Sequence, residues 1–334
     1  MSDATNSFAT DGAPVVHHLR RMTVIWAVLS VIGDLLFWFL VGPHVPPGAM
    51  TDQAVSNRFD FNVLFMIALP VVIGVWVYMG YVIVMWSDKR STAPAFGGPA
   101  ARGNRRAQVL WITITSIAVL FAAGFGTVEL IVNNGSGGGE GPNPVWMPAG
   151  AAQAETAALQ GTATWTPGSG KVLPVQVIAQ QWKFTYRYPT FGGFETPNLI
   201  LPVNTEIAFN VTSLDVIHSF WAYQLSVKAD ANPSVNDVAF TKTLHTGNFT
   251  VRCSELCGLW HGAMFDYGKV VSQSAFMSWA TSTEAANAAN TKYLPPFAWT
   301  YVPDANGAAG GYYPDGNLTP YSKSQLYGAA QAAS

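Results

Sequence analysis

Cys253-Ser-Glu-Leu-Cys257-Gly-Leu-Trp-His261-Gly-Ala-Met264 holds both cysteines of the 334-residue chain, one of its six histidines and a methionine. Thiolate, imidazole and thioether donors together suit soft or borderline metals, copper above all, with zinc and iron–sulfur as rivals. A single-copper electron-transfer site takes one Cys, two His and a weak axial Met, so this loop carries one thiolate too many. Two thiolates can each bridge two copper ions, with His261 capping one of them and Met264 as a weak ligand. A second histidine is then required upstream. Asp215-Val-Ile-His218-Ser-Phe is the natural place, because its β-branched run reads as a strand carrying His218.

Blander readings compete. Two thiols four residues apart could pair as a disulfide on the oxidising side of a membrane. Zinc motifs usually set paired cysteines closer together and have no use for a methionine. A methionine beside a histidine is, taken alone, ordinary core packing. The joint occurrence of all four ligand positions, with both cysteines used, favours copper.

Working outward, the composition separates two parts. Charged residues make up only 11% and aromatics 13%, which fits a membrane-anchored protein better than a soluble enzyme. The net charge of −2 gives no nucleic-acid surface. Residues 1–22 form a polar N-terminal segment ending in His17-His18-Leu-Arg20-Arg21. Apolar runs follow at 23–42, 61–86 and 108–132, each long enough to cross a hydrocarbon core of about 30 Å. The first is expected to be an uncleaved helix, since no small-residue cleavage site follows it. Pro70 interrupts the second, where a neighbouring helix can satisfy the freed carbonyl. The loop 87–107 carries Lys89, Arg90, Arg102, Arg105 and Arg106 against Asp88, whereas the loop between the first two spans has only Arg58. The positive-inside rule therefore puts 1–22 and 87–107 in the cytoplasm and everything after Val132 outside.

Residues 133–170 read as a Gly/Pro-rich linker. From Lys171 the pattern changes to short strands: 172–178, 183–188, 206–211, 237–241 and 248–252. Their Gly, Pro and Asn punctuation indicates a sandwich or barrel, occupying 171–275. Ser274 to Asn290 has the composition of a short surface helix, and 276–334 is expected to be that helix followed by an extended tail. The absence of Cys-x-x-Cys-His excludes a fused c-type haem domain.

The segment from Val172 to Val271 resembles the copper domain of cytochrome c oxidase subunit II. The resemblance rests on the ligand loop, on Gln181-Trp182-Lys-Phe184-Thr-Tyr186-Arg-Tyr188, on Asp215-Val-Ile-His218-Ser and on Val227-Lys228-Ala-Asp230-Ala-Asn-Pro233. It implies three transmembrane helices followed by a cupredoxin-like β-sandwich, with a binuclear copper centre (CuA) outside the membrane. In that family Cys253 and Cys257 would bridge the coppers. His218 and Met264 would complete one ion, and His261 and the Glu255 carbonyl the other. Trp182 would be the electron-entry residue, and the Glu255 side chain would reach a magnesium or manganese ion shared with subunit I. Lys228 and Asp230 fall in an interface strip.

Three departures and one unusual carboxylate are visible. Phe184 stands where the family usually has a second tryptophan, and Ser234 replaces a glycine. Gln108 occupies a position where many members carry a proton-uptake glutamate. Asp34 is a carboxylate inside an apolar helix, suited to a structural contact with subunit I or to a proton path.

The family role implied is electron entry. One-electron transfer would run from cytochrome c, a tethered cytochrome or a similar donor to haem in subunit I, with subunit III as a further partner. Oxygen would become water there with proton pumping, in the plasma (inner) membrane of a prokaryote. A nitric oxide reductase with a CuA subunit, or a membrane-tethered copper-binding protein, is the alternative. Nine basic against twelve acidic residues after position 139 imply modest electrostatic steering of any donor.

Overall fold

The computed structural model describes residues 12–45, 47–86, 104–132, 164–233 and 237–291. Residues 1–11, most of the basic loop, the linker 133–163, Ser234 and the tail beyond Thr291 lie outside the described residues. Two units emerge: Met1–Val45 with Phe59–Thr127, and Pro46–Arg58 with Val128–Ser334.

The first unit is helical. Helix α1 (Gly12–Leu36) continues through a π-helical turn, Phe37–Val41, into a single 3-10 turn, Gly42–His44. Helices α2 (Asp52–Trp86) and α3 (Arg105–Val132) follow. All three are long and apolar enough to cross a membrane. Their apolar side chains face outward, Val84 at 78% and Leu120 at 71% exposure, as lipid-facing residues do. The 35 residues of α2 extend about 52 Å at 1.5 Å per residue, more than a bilayer core requires. Its polar first turns, which precede the apolar run that begins at Phe61, account for about 14 Å of that length. The Asn104 side chain caps α3, accepting from the backbone N–H groups of Arg106 and Ala107.

Polar contacts pin α1 to α2. The Trp26 indole donates to the Pro70 carbonyl at 2.7 Å, so a neighbouring helix does serve this proline, though at its own carbonyl. Gly74 permits the approach, because a Cβ there would sit 3.2 Å from the indole nitrogen. Asn62 donates to the Gly42 carbonyl at 3.2 Å, and Phe37 stacks on Phe65.

The second unit is a two-sheet β-sandwich, as the short-strand pattern implied. Its strands are β1 (Leu173–Gln180), β2 (Lys183–Tyr188), β3 (Phe194–Thr196), β4 (Leu199–Pro202) and β5 (Glu206–Ser213). They continue as β6 (His218–Ala222), β7 (Val227–Ala231), β8 (Asp237–Lys242), β9 (Gly247–Cys253) and β10 (Phe265–Val271). One sheet has the order β3-β2-β1-β5-β8 and the other β4-β10-β9-β6-β7. The pairs β1–β5 and β4–β10 are parallel; the others are antiparallel.

Phe184, Phe209 and Phe220 meet between the sheets, with ring centroids 5.2–6.0 Å apart. Each such ring contributes about 1.5–3 kcal/mol by leaving water. Helix α4 (Gln273–Thr291) is no mere surface helix. Its Phe276 is fully buried, with edge contacts to Trp165 and Phe191.

Residues 46–58 belong to this second unit. The Thr51 hydroxyl donates to the Leu225 carbonyl at 2.7 Å and accepts from the Ala54 N–H at 3.0 Å. Asp52 accepts the Lys242 N–H at 2.9 Å, and the Met50 carbonyl accepts the Leu244 N–H at 2.8 Å. By sequence periodicity residues 46–58 fall in an inter-helix loop. The structure makes them an edge of the sandwich.

Candidate metal centre

Strand β9 ends at Cys253 and β6 begins at His218, and the two strands are paired in one sheet. The loop from β9 to β10 closes on itself where the Cys253 N–H donates to the Met264 carbonyl at 3.1 Å. It is tied to β6 by the Ser254 N–H, which donates to the Ser219 carbonyl at 3.0 Å. Its far end is a single 3-10 turn, His261–Ala263. This fold brings together donors that lie 35 residues apart in sequence.

The two thiols are free, with sulfurs 3.7 Å apart, well beyond a disulfide bond. His218 Nδ1 lies 3.8 Å from Cys253 Sγ, and His261 Nδ1 lies 3.6 Å from Cys257 Sγ. Met264 Sδ is 3.9 Å from Cys257 Sγ, and the Glu255 carbonyl oxygen is 3.2 Å from Cys253 Sγ. His218, Cys253, Cys257 and Met264 are buried, His261 half-buried. His218, Cys253 and Cys257 form the one His/Cys/Asp/Glu cluster of metal-holding dimensions among the described residues. Three side chains and one carbonyl thus surround a pair of sulfurs. That donor set fits two soft or borderline ions sharing both sulfurs.

Two neighbours tune the site. His218 Nε2 contacts Asp215 Oδ1 at 2.9 Å, leaving Nδ1 directed to the sulfur. Burial alone would raise the Asp215 carboxyl. Hydrogen bonds from the Gln181 N–H, His218 and the Val216 N–H outweigh it and hold the group below its ordinary range. Burial, followed by the hydrogen bond and charge of Cys253, pushes the Cys257 thiol up to about 12. Metal binding must therefore displace protons from a site that otherwise keeps its thiol.

The other predicted residues sit as follows. Trp182 is half-buried, its indole N–H donating to the Cys257 carbonyl at 3.2 Å, with the Gln181 side-chain amide on the same oxygen at 2.8 Å. Gly258 makes this possible with φ +117°. A Cβ there would lie 3.0 Å from Gln181 Nε2 and 3.3 Å from the Trp182 ring. Phe184 is buried in the core, Tyr186 donates to Asp266 at 3.2 Å, and Tyr188 donates to the Ile200 carbonyl at 2.8 Å. The Glu255 side chain and Lys228 are exposed, and Asp230 is half-buried on the same face of β7 as Lys228. Asp34 lies on α1 with one carboxylate oxygen sealed from solvent and without a hydrogen bond; Gln108 is exposed on α3.

The sequence alone assigns neither Asp215 nor Gln181 a role at the site. The Asp-x-x-His spacing was the available signal for Asp215. Nothing local announces Gln181, whose target lies 76 residues away.

Residues 194–271 match the family model described as cytochrome c oxidase subunit II, periplasmic domain. The cytochrome c oxidase subunit 2 of Thermostichus vulcanus is 29% identical over 288 residues, covering 78% of this chain and 86% of that protein. A probable cytochrome c oxidase subunit 2 of Rickettsia bellii is 32% identical, covering 36% of this chain and 53% of that one. Among solved structures, the periplasmic domain of subunit II of the Bradyrhizobium japonicum cytochrome oxidase is 32% identical. The match covers 34% of this chain and 94% of that domain, with a TM-score of 0.33.

Proposed function

Since the chain belongs to the cytochrome c oxidase subunit II family, we propose that it is the electron-entry subunit of a respiratory haem–copper oxidase. The observation that carries this reading is the pair of unbridged sulfurs ringed by His218, His261, Met264 and the Glu255 carbonyl. When bound there, a binuclear copper centre supplies a one-electron store shared over both ions. Cys253, Cys257, His218, His261, Met264 and the Glu255 carbonyl are the groups that would hold it.

The chain's own residues do the rest. Strands β6 and β9 fix His218 and Cys253 in advance, so little must move when charge changes. Burial of four ligands excludes water from the sulfurs and lowers the local dielectric. Asp215 holds the His218 ring in one orientation. Trp182 offers an aromatic, part-exposed group bonded to the carbonyl of a ligand residue, suited to receive electrons from cytochrome c or a similar donor. The exposed Glu255 carboxylate suits a shared magnesium or manganese ion, with other ligands from subunit I. The apolar helices anchor the chain in a membrane, and we assign it to a prokaryotic plasma membrane with the sandwich outside.

Metal analysis and electron paramagnetic resonance of the full chain test this reading. Two coppers per chain with one unpaired electron shared by both nuclei is the expected result. Zinc, or one isolated copper, overturns it.

A further inference from the structure

Helices α1 and α2 line a groove whose two ends differ chemically. At the N-terminal end of α1 a cavity of about 490 Å³ is lined by His17, Arg20, Arg21 and Tyr81. Below it runs an apolar cavity of about 680 Å³, walled by Leu29, Ile32 and Leu36 on one side and Trp76, Gly80 and Val84 on the other. Ile25, Tyr81 and Met85 line both, so the two are continuous. A contact of 2.8 Å between the His18 ring and the Tyr81 hydroxyl holds the helices together at the cationic end.

We propose that this groove binds one anionic phospholipid, its phosphate at Arg20 and Arg21 and its acyl chains along the apolar walls. Three observations favour that occupant. Among the described residues both arginines line the mouth, no acidic residue does, and neither arginine has an ion-pair partner. The apolar part runs from Ile25 to Leu36 on α1, about 16 Å at 1.5 Å per residue. That is close to half of a hydrocarbon core of about 30 Å, the depth of a single leaflet. The cationic end is also the flank that the positive-inside rule assigns to the cytoplasm, where anionic lipids meet juxtamembrane arginines.

Gly80 makes the groove testable without disturbing the helix pair. A Cβ at Gly80 meets nothing within 4 Å, so a larger side chain there enters the groove rather than a packed interface. The experiment is native mass spectrometry of the full chain released from vesicles of equal phosphatidylglycerol and phosphatidylcholine. One phosphatidylglycerol should remain per chain, preferred about tenfold over phosphatidylcholine. The double variant Arg20→Gln/Arg21→Gln should lose the preference, and Arg20→Lys/Arg21→Lys should largely keep it. Gly80→Leu should reduce retention of both lipids while the unfolding temperature stays put. Equal retention of the two lipids by the unaltered chain overturns the proposal. So does a preference that survives both Arg20→Gln/Arg21→Gln and Gly80→Leu. Displacement by glycerol 3-phosphate alone reduces the site to a headgroup contact and also overturns it, as does another chain's helix in the groove of the assembled oxidase.

Discussion

The indole Nε1 of Trp182 donates a 3.2 Å hydrogen bond to the carbonyl oxygen of Cys257, joining a part-exposed aromatic ring directly to a candidate ligand residue. The Gln181 amide shares the same acceptor at 2.8 Å, so the ring is held from two sides. Replacing Trp182 with Phe keeps an aromatic ring and removes the donor. Copper content should be unchanged, while electron entry from the donor slows about tenfold, equivalent to about 1.4 kcal/mol of barrier. Stopped-flow reduction of the copper-loaded chain by its donor measures this. An unaltered rate would remove Trp182 from the path.

Asp215→Asn leaves the size of the side chain intact but weakens the contact that orients His218. Loss of such an outer partner typically lowers metal affinity by about 10–100-fold. Competition with a copper chelator should show a drop of that size. The variant should still fold at some cost in stability, because the Gln181 N–H bonds one carboxylate oxygen and the Val216 N–H the other, and the single amide oxygen of asparagine serves only one of them.

Gly258→Ala places a Cβ at φ +117° and against the Gln181 amide. Strain of this kind costs about 1–3 kcal/mol. The unfolding midpoint should fall accordingly, and the Trp182 fluorescence should shift as its ring is displaced.

Away from the metal loop, burial, reinforced by the Asp52 charge and opposed by Lys242, pushes Glu206 up to about 7 from an ordinary 4.5. The folded state then keeps a proton that the unfolded chain releases first. Stability should decline as pH rises from about 4.5 to about 7 and level off above that. The group remains partly solvated, so after screening the effect is about 1 kcal/mol. Thermal unfolding across pH should show this slope, and Glu206→Gln should flatten it.

The outer face of the ligand loop is apolar, with Leu256, Leu259 and Trp260 well exposed. Raising the salt concentration should change the donor's second-order rate by less than about threefold, against the 10–1000-fold of steered association. A steep salt dependence would place docking elsewhere.

The ligand loop was legible because its donors are crowded into twelve residues and no other use of both cysteines explains the methionine. The strand ending at Cys253 was legible too, but the β-branched Val216-Ile217, read as the strand carrying His218, falls outside any strand, and β6 starts only at His218. The short strands β3 and β4 were not legible, since three or four residues give no period to read. Nor was the docked face of α4, whose Phe276 looks no different in sequence from a solvent-facing aromatic. The roles of Asp215 and Gln181 depend on pairings that only the closed sandwich creates. Local pattern carries no record of contacts spanning 34 or 76 residues.

The bonds made by Met50, Thr51 and Asp52 give the sandwich a discontinuous sequence, with two candidate membrane spans inserted between its first piece and the rest. During synthesis that first piece must wait, for about 170 to 195 residues, until Leu225, Lys242 and Leu244 are made. Segment 46–58 and the strands that receive it must therefore share one side of any bilayer the chain crosses, and an even number of intervening spans, two, meets that requirement.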